Sequence, residues 1–171
     1  MRLDNEIKLD YKDVLIRPKR STLKSRSQVK LERKFSFRNS KADYEGVPIM
    51  ASNMDGVGTF DMADKLAEGN IFTCLVKTYS VEQLTEYFNG DMPERTNNVA
   101  MSIGTSDADF LKLVDVQAQV GDNLKYVCMD IANGYSDHFA ARVRKVRDQF
   151  PDIVIIAGNV VTGNMTEELI L

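Results

Sequence analysis

The chain has 171 residues, with 43% hydrophobic and 27% charged residues and a formal net charge of −3. That balance lies well clear of the disordered range, and the length supports one core of ordinary size. Its longest apolar runs, such as IVIIAG (153–158), are too short to cross a bilayer. With no secretory signal at its start and no paired cysteine motif, the expected compartment is the cytoplasm.

The charge is unevenly spread. From Arg17 to Lys34 there are eight Lys or Arg residues and a single acid, Glu32, giving +7 and leaving −10 elsewhere. No helical or strand period runs through this stretch. A local excess of this kind points to a local anion site rather than a nucleic-acid surface. We take residues 1–45 as a basic N-terminal segment and 46–171 as the folded body it leads into.

Past residue 45 the pattern becomes regular. Apolar, β-branched runs begin near Pro48, Ile71, Asn98, Leu124 and Ile153, roughly 23 to 29 residues apart. Between them lie amphipathic stretches with helix start signals. Residues 61–69 end on Gly69, and 80–88 open with Ser80 and Gln83 in capping-box register. Residues 106–119 start on Ser106, and 136–150 start on Ser136 and are stopped by Pro151. The final TEELIL is again amphipathic. Such alternation predicts βα units on a parallel sheet, an α/β fold. A five-stranded doubly wound sheet fits, and so does a (β/α)8 TIM barrel truncated after about five βα units. The even spacing and the unfinished last helix favour the barrel.

Each expected strand runs into small and polar residues: ASNMDGVG (51–58), VKTY (76–79), SIGTSD (102–107), DIANGYS (130–136) and AGNV (157–160). Ligands bind at this end of parallel strands. Lys77 either reaches solvent or points into the mouth, where burial would lower its pKa and suit it to proton transfer. Asp130 either caps the next helix or accepts two hydrogen bonds from a ribose hydroxyl pair. His138, the only histidine, reads as a surface residue without a partner. Cys74 and Cys128 read as small buried hydrophobes. No G-x-G-x-x-G, phosphate loop, metal-ligand cluster or Ser-His-Asp set is present, so no metal is expected. From these residues alone the reaction stays open.

Longer motifs carry a resemblance. IKLDYKDVLIRPKRSTLKSR (7–26), NMDGVGTF (53–60), GTSDADF (104–110), DIANGYSDHF (130–139) and AGNVVTGNMTEELIL (157–171) resemble the GMP reductases of the IMP dehydrogenase/GMP reductase family. The dehydrogenases usually carry a regulatory domain inserted after the second barrel helix. Here EYFNGDMPERTNN (86–98) passes directly into the third expected strand, which favours the reductase side.

The resemblance implies a TIM barrel assembling as a homotetramer. It also implies NADPH-dependent reductive deamination of GMP to IMP with release of ammonia, in purine nucleotide salvage. GMP and IMP are the implied ligands, with no nucleic acid or membrane partner. By the same resemblance Asp130, Ile131 and Ala132 hold the nicotinamide ribose. Lys77 and Thr105 stand near the departing ammonia, Lys77 also against the cofactor. Ser25 and Arg26 reach a neighbouring subunit's NADPH, and Ser52, Asn53 and Met54 lie under the purine. The family's catalytic cysteine belongs to a loop beyond the fifth barrel unit, and neither Cys74 nor Cys128 corresponds to it. The expectation is therefore that these 171 residues do not turn over alone. A non-catalytic truncated paralogue, an interaction partner of intact subunits, or less readily an IMP dehydrogenase, are the alternatives. The chain departs from the family at Val76 and Thr78, where histidines flank the lysine, and at Gly56, where threonine is common.

Overall fold

The computed structural model describes residues 5, 7, 9–91 and 93–171. The chain divides into two compact units, one up to Lys30 and one from Leu31 to Leu171. The first holds two single 3-10 turns. Asp10 caps Tyr11–Asp13 with a capping box, and Ser25 caps Arg26–Gln28.

The second unit begins with an antiparallel pair, β1 (Arg33–Ser36) and β2 (Asp43–Ala51). Then helix and strand alternate: α1 (Phe60–Ala67), β3 (Ile71–Cys74), α2 (Val81–Phe88), β4 (Val99–Ile103), α3 (Asp107–Val120), β5 (Tyr126–Asp130), α4 (Asp137–Gln149), β6 (Val154–Gly158) and α5 (Gly163–Ile170). The capping box of Ser80 and Gln83 forms as expected. The hydroxyls of Ser106 and Ser136 accept from the backbone N–H groups of Asp109 and Phe139 at 3.1 and 3.2 Å. Each cap satisfies one of the donors a helix start leaves unpaired.

The strands lie in the order β1-β2-β3-β4-β5-β6, and every pair from β2 to β6 is parallel. This order decides between the two architectures. A doubly wound sheet reverses strand order at a switch point, whereas a barrel adds each strand on the same side. β2 to β6 never reverse. They form five successive βα units of a TIM barrel.

β1 corrects the sequence reading, in which the basic run had no strand period. Arg33 and Lys34, its last members, pair with Gly46 and Glu45 across the hairpin. β1 is exposed along its whole length, so it has no buried alternate positions to print a period. Cross-strand contacts hold it instead. Phe35 stacks on Tyr44 with ring centroids 6.4 Å apart, and Lys34 pairs with Asp43 at 3.5 Å. Charge on an edge strand also discourages pairing with foreign strands.

Alternation in the parallel strands separates two cores. Val99, Met101, Ile103, Val127 and Met129 face the helices and pack on Leu84, Phe88, Leu113, Val116, Phe139 and Val146. On the other face Tyr44, Phe72, Cys74, Ala100, Tyr126, Cys128 and Val154 form the inner layer. Strands covered on both sides read as unbroken apolar runs, and all five residues of β4 are buried. Among the described residues no helix is long and apolar enough to cross a membrane.

Candidate active-site mouth at the strand ends

The loops after β2, β3, β4, β5 and β6 gather at one end of the sheet, and hydrogen bonds between them fix their shape. After β2 the chain turns on the Met54 carbonyl, which accepts from the N–H groups of Val57 and Gly58 at 3.0 and 2.9 Å. Gly58 presses against the next strand end: Val76 N–H donates to its carbonyl at 2.8 Å. A Cβ at Gly58 would stand 2.4 Å from the Cys74 carbonyl oxygen. Gly56 in the same turn has φ +76°, which glycine enters freely and a threonine enters with strain.

After β3, residues 76–79 are held from two sides. The Lys112 ammonium on α3 donates to the Lys77 carbonyl at 2.8 Å and to that of Tyr79. Burial pushes this ammonium down from its usual pKa. The Tyr79 ring stacks on Phe60 at 3.9 Å, and Phe60 stacks in turn on Tyr87 at 4.3 Å. The Lys77 side chain itself is exposed. Of the two placements open in the sequence, this is the solvated one. Val76 is half-buried and Thr78 exposed.

After β4, Thr105 is half-buried, and its carbonyl lies 3.2 Å from Nε2 of His138 at the start of α4. His138 therefore has a partner, contrary to expectation, although it is exposed. One residue group secures this loop. The Asp109 carboxylate accepts from Ser106 Oγ at 2.5 Å. Burial works to raise the Asp109 carboxyl, yet the Ser106 hydroxyl, the Gly104 and Ser106 backbone and the Lys77 charge together hold it below the usual range. A carboxyl depressed on folding adds stability above its unfolded pKa of about 4 and loses it as pH falls through the folded value. Urea midpoints should therefore show Asp109→Asn less stable than the parent near neutrality, with the gap closing below about pH 4. A constant gap would contradict the assignment.

After β5 and β6 the two chains stay laddered beyond the strands. Ile131 N–H donates to Gly158 O at 2.9 Å, Asn159 N–H to Ile131 O at 2.8 Å, and Gly134 N–H to Asn159 O at 2.9 Å. The Tyr135 hydroxyl accepts from the N–H groups of Val161 and Thr162 at 2.8 and 2.9 Å. At the centre stands Asp130, half-buried. Its Oδ2 accepts from Asn53 Nδ2 at 3.1 Å and its Oδ1 from Asn159 Nδ2 at 3.4 Å. One carboxylate thus gathers side chains from the ends of β2, β5 and β6. It does not cap α4; Ser136 does.

The remaining sequence candidates fall as follows. Ser52 and Met54 are exposed beside half-buried Asn53, Ile131 is half-buried and Ala132 exposed. Ser25 and Arg26 belong to the first unit. There the Ser25 hydroxyl accepts from Ser27 N–H at 3.3 Å, and the Arg26 side chain is exposed. Asp109 and Lys112 were not singled out from the sequence. Lys112 acts on carbonyls 35 and 33 positions away, a relation no local pattern carries. A cleft of about 880 Å³ lies at the opposite end of the sheet, lined by Asp43, Lys125, Tyr126 and Asp152 among others, remote from these loops. Among the described residues no three His, Cys, Asp or Glu side chains converge as metal ligands.

Compared with known proteins, residues 8–171 match the IMP dehydrogenase / GMP reductase domain. The chain belongs to the IMP dehydrogenase / GMP reductase family. It is 55% identical over 170 residues to the GMP reductase of Caenorhabditis elegans, covering 99% of this chain and 47% of that one. GMP reductase 2 of Homo sapiens is 55% identical over 169 residues, covering 99% and 48%. The GMP reductase of Shewanella pealeana is 54% identical over 171 residues, covering 100% and 49%. The chain thus spans about half the length of the curated relatives it matches. Among solved structures, inosine 5′-monophosphate dehydrogenase from Legionella pneumophila superposes with a TM-score of 0.73 at 20% identity, over 92% of this chain and 46% of that one. At that identity the likeness bears on the fold alone.

Proposed function

We propose that this chain is the cofactor-side part of a GMP reductase that converts GMP to IMP with NADPH and releases ammonia, as a cytoplasmic homotetramer. The observation that carries the reading is the Asp130 carboxylate at the meeting point of three strand ends, in a chain 55% identical to GMP reductases. The amide donors of Asn53 and Asn159 mark two acceptor positions that a pair of ribose hydroxyls fills equally well. Ala132, small and exposed, stands two residues beyond this carboxylate.

When bound, NADPH supplies the hydride that replaces the amino group on the purine. The chain's own residues do the rest of this half. Asp130 orients the ribose, with Ile131 and Ala132 beside the nicotinamide. Lys77, exposed at the mouth, offers a proton to the departing ammonia, and Thr105 positions that ammonia from the half-buried end of β4. Ser52, Asn53 and Met54 lie under the purine. Ser25 and Arg26 serve a neighbouring subunit's cofactor, Arg26 through a charge-assisted bond to the 2′-phosphate.

The test joins the 171 residues to the C-terminal part of human GMP reductase 2. The joined barrel should oxidise NADPH only when GMP is present, and the 171 residues alone should not. A folded joined barrel without GMP-dependent oxidation counts against the reading. In the same protein Arg26→Ala should weaken NADPH by about tenfold or more while leaving NADH nearly unchanged. Equal weakening of both cofactors would remove Arg26 from that role.

A further inference from the structure

Lys77 lies in a loop that is tied down at both ends. At one end Val76 N–H donates to the Gly58 carbonyl at 2.8 Å. At the other the Tyr79 hydroxyl accepts from Phe60 N–H at 3.3 Å, and the centroids of those two rings are 3.9 Å apart. Ser80 then caps α2, its own N–H donating to Gln83 Oε1 at 2.9 Å. Among the described residues, the bond that holds Lys77 itself is the one its carbonyl accepts from the Lys112 ammonium, at 2.8 Å. The same ammonium donates to the Tyr79 carbonyl. Two carbonyls two positions apart therefore turn to one cation, and the backbone between them wraps around it.

We propose that Lys112 is a positioning residue for GMP reduction: by binding these two carbonyls it fixes the backbone from which the Lys77 amine reaches the departing ammonia. This rests on the proposed function, in which Lys77 is the proton donor, and adds the group that keeps that donor in place. Lys112 acts through Lys77 and is assigned no contact with substrate or cofactor.

A lysine on a helix surface ordinarily keeps its head in water or pairs with a carboxylate a turn away. Lys112 does neither. It is half-buried, and among the described residues no carboxylate forms an ion pair with it. Taking an ammonium out of water is costly unless its donors are satisfied, and here they are given to one loop. Bonds from a charged donor are stronger than those between neutral groups. Burial lowers the Lys112 ammonium, and the Asp109 carboxylate one turn earlier on α3 works against that. The Lys77 charge acts on the same carboxylate, so Asp109 offsets the repulsion between two ammonium groups near one loop. A loop released to shift by about 1 Å would carry its proton donor off line, at a cost of up to about 100-fold in rate.

In the joined barrel, Lys112→Met removes the ammonium and keeps an unbranched stem. It should lower kcat by about 10- to 100-fold, with the KM for GMP within about twofold of the parent's. Hydrogen exchange at the Val76 and Ser80 amides, which requires no turnover, should speed by about tenfold as the loop loosens. Lys112→Arg, whose donors can serve both carbonyls, should restore most of the rate and most of the protection. An active parent whose Lys112→Met variant keeps its kcat overturns the positioning role alone. So does unchanged exchange, an equal kcat loss in the methionine and arginine variants, or a kcat loss matched by a rise in the KM for GMP. A parent barrel without GMP-dependent NADPH oxidation overturns the proposed function and this role with it.

Discussion

Replacing Asp130 with Ala in the joined barrel should raise the KM for NADPH by about 100-fold. The carboxylate is the acceptor assigned to two ribose hydroxyls, and a hydrogen bond to a charged group is worth roughly 1.5–3 kcal/mol. Losing both while leaving the amides of Asn53 and Asn159 without their acceptor reaches about 2.7 kcal/mol or more, a factor of about 100. Asp130→Asn should fall between, because an amide keeps one acceptor oxygen but loses the charge. The KM for GMP should move far less, which separates a local effect on the ribose from a collapse of the mouth. An unchanged KM for NADPH would show that the carboxylate serves only to tie the strand ends together.

Gly58→Ala should cost the 171-residue chain about 3 kcal/mol, lowering Tm by roughly 6–12 °C. The added Cβ would stand 2.4 Å from the Cys74 carbonyl oxygen, 2.8 Å from the Val76 nitrogen and 3.1 Å from the Asn53 Cα. All three are backbone atoms, so no side chain can swing aside. Relief requires pulling the β2–α1 loop off the end of β3, which breaks the bond from Val76 N–H to the Gly58 carbonyl. Asn53 and the 76–79 loop move with it, so the damage reaches the mouth as well as the core. Gly56→Ala is the control. Nothing lies within 4 Å of its added Cβ, and only the positive φ charges a penalty, about 1 kcal/mol. Equal Tm losses for the two variants would contradict the close-approach argument.

The frame of this fold was legible because it rests on local rules. Ser80 with Gln83, Ser106 and Ser136 announced helix starts, and apolar runs at nearly even spacing announced the parallel strands. Sequential strand order then required three dimensions, since spacing alone admits a doubly wound sheet too. β1 escaped notice because its stabilisation comes from Phe35 on Tyr44 and Lys34 beside Asp43, not from burial at alternate positions. In the mouth, residue types were readable and their partners were not. Asn53 meets Asp130 from 77 positions away, and Lys112 grips the Lys77 loop from 35. His138 looked unpartnered because its partner is a backbone carbonyl, which every residue has and no side chain reveals. The two cysteines were read as buried. That both turn to the inner layer depends on strand register and could not be read from positions in the chain.

The most direct measurement is the nitrogen and cofactor balance of the joined barrel. With GMP labelled at the amino group, each NADPH oxidised should release one labelled ammonia and leave one IMP. Oxidation of IMP with reduction of NAD and no ammonia, or cofactor turnover indifferent to GMP, would contradict a GMP reductase and place this half-barrel with another chemistry of its family.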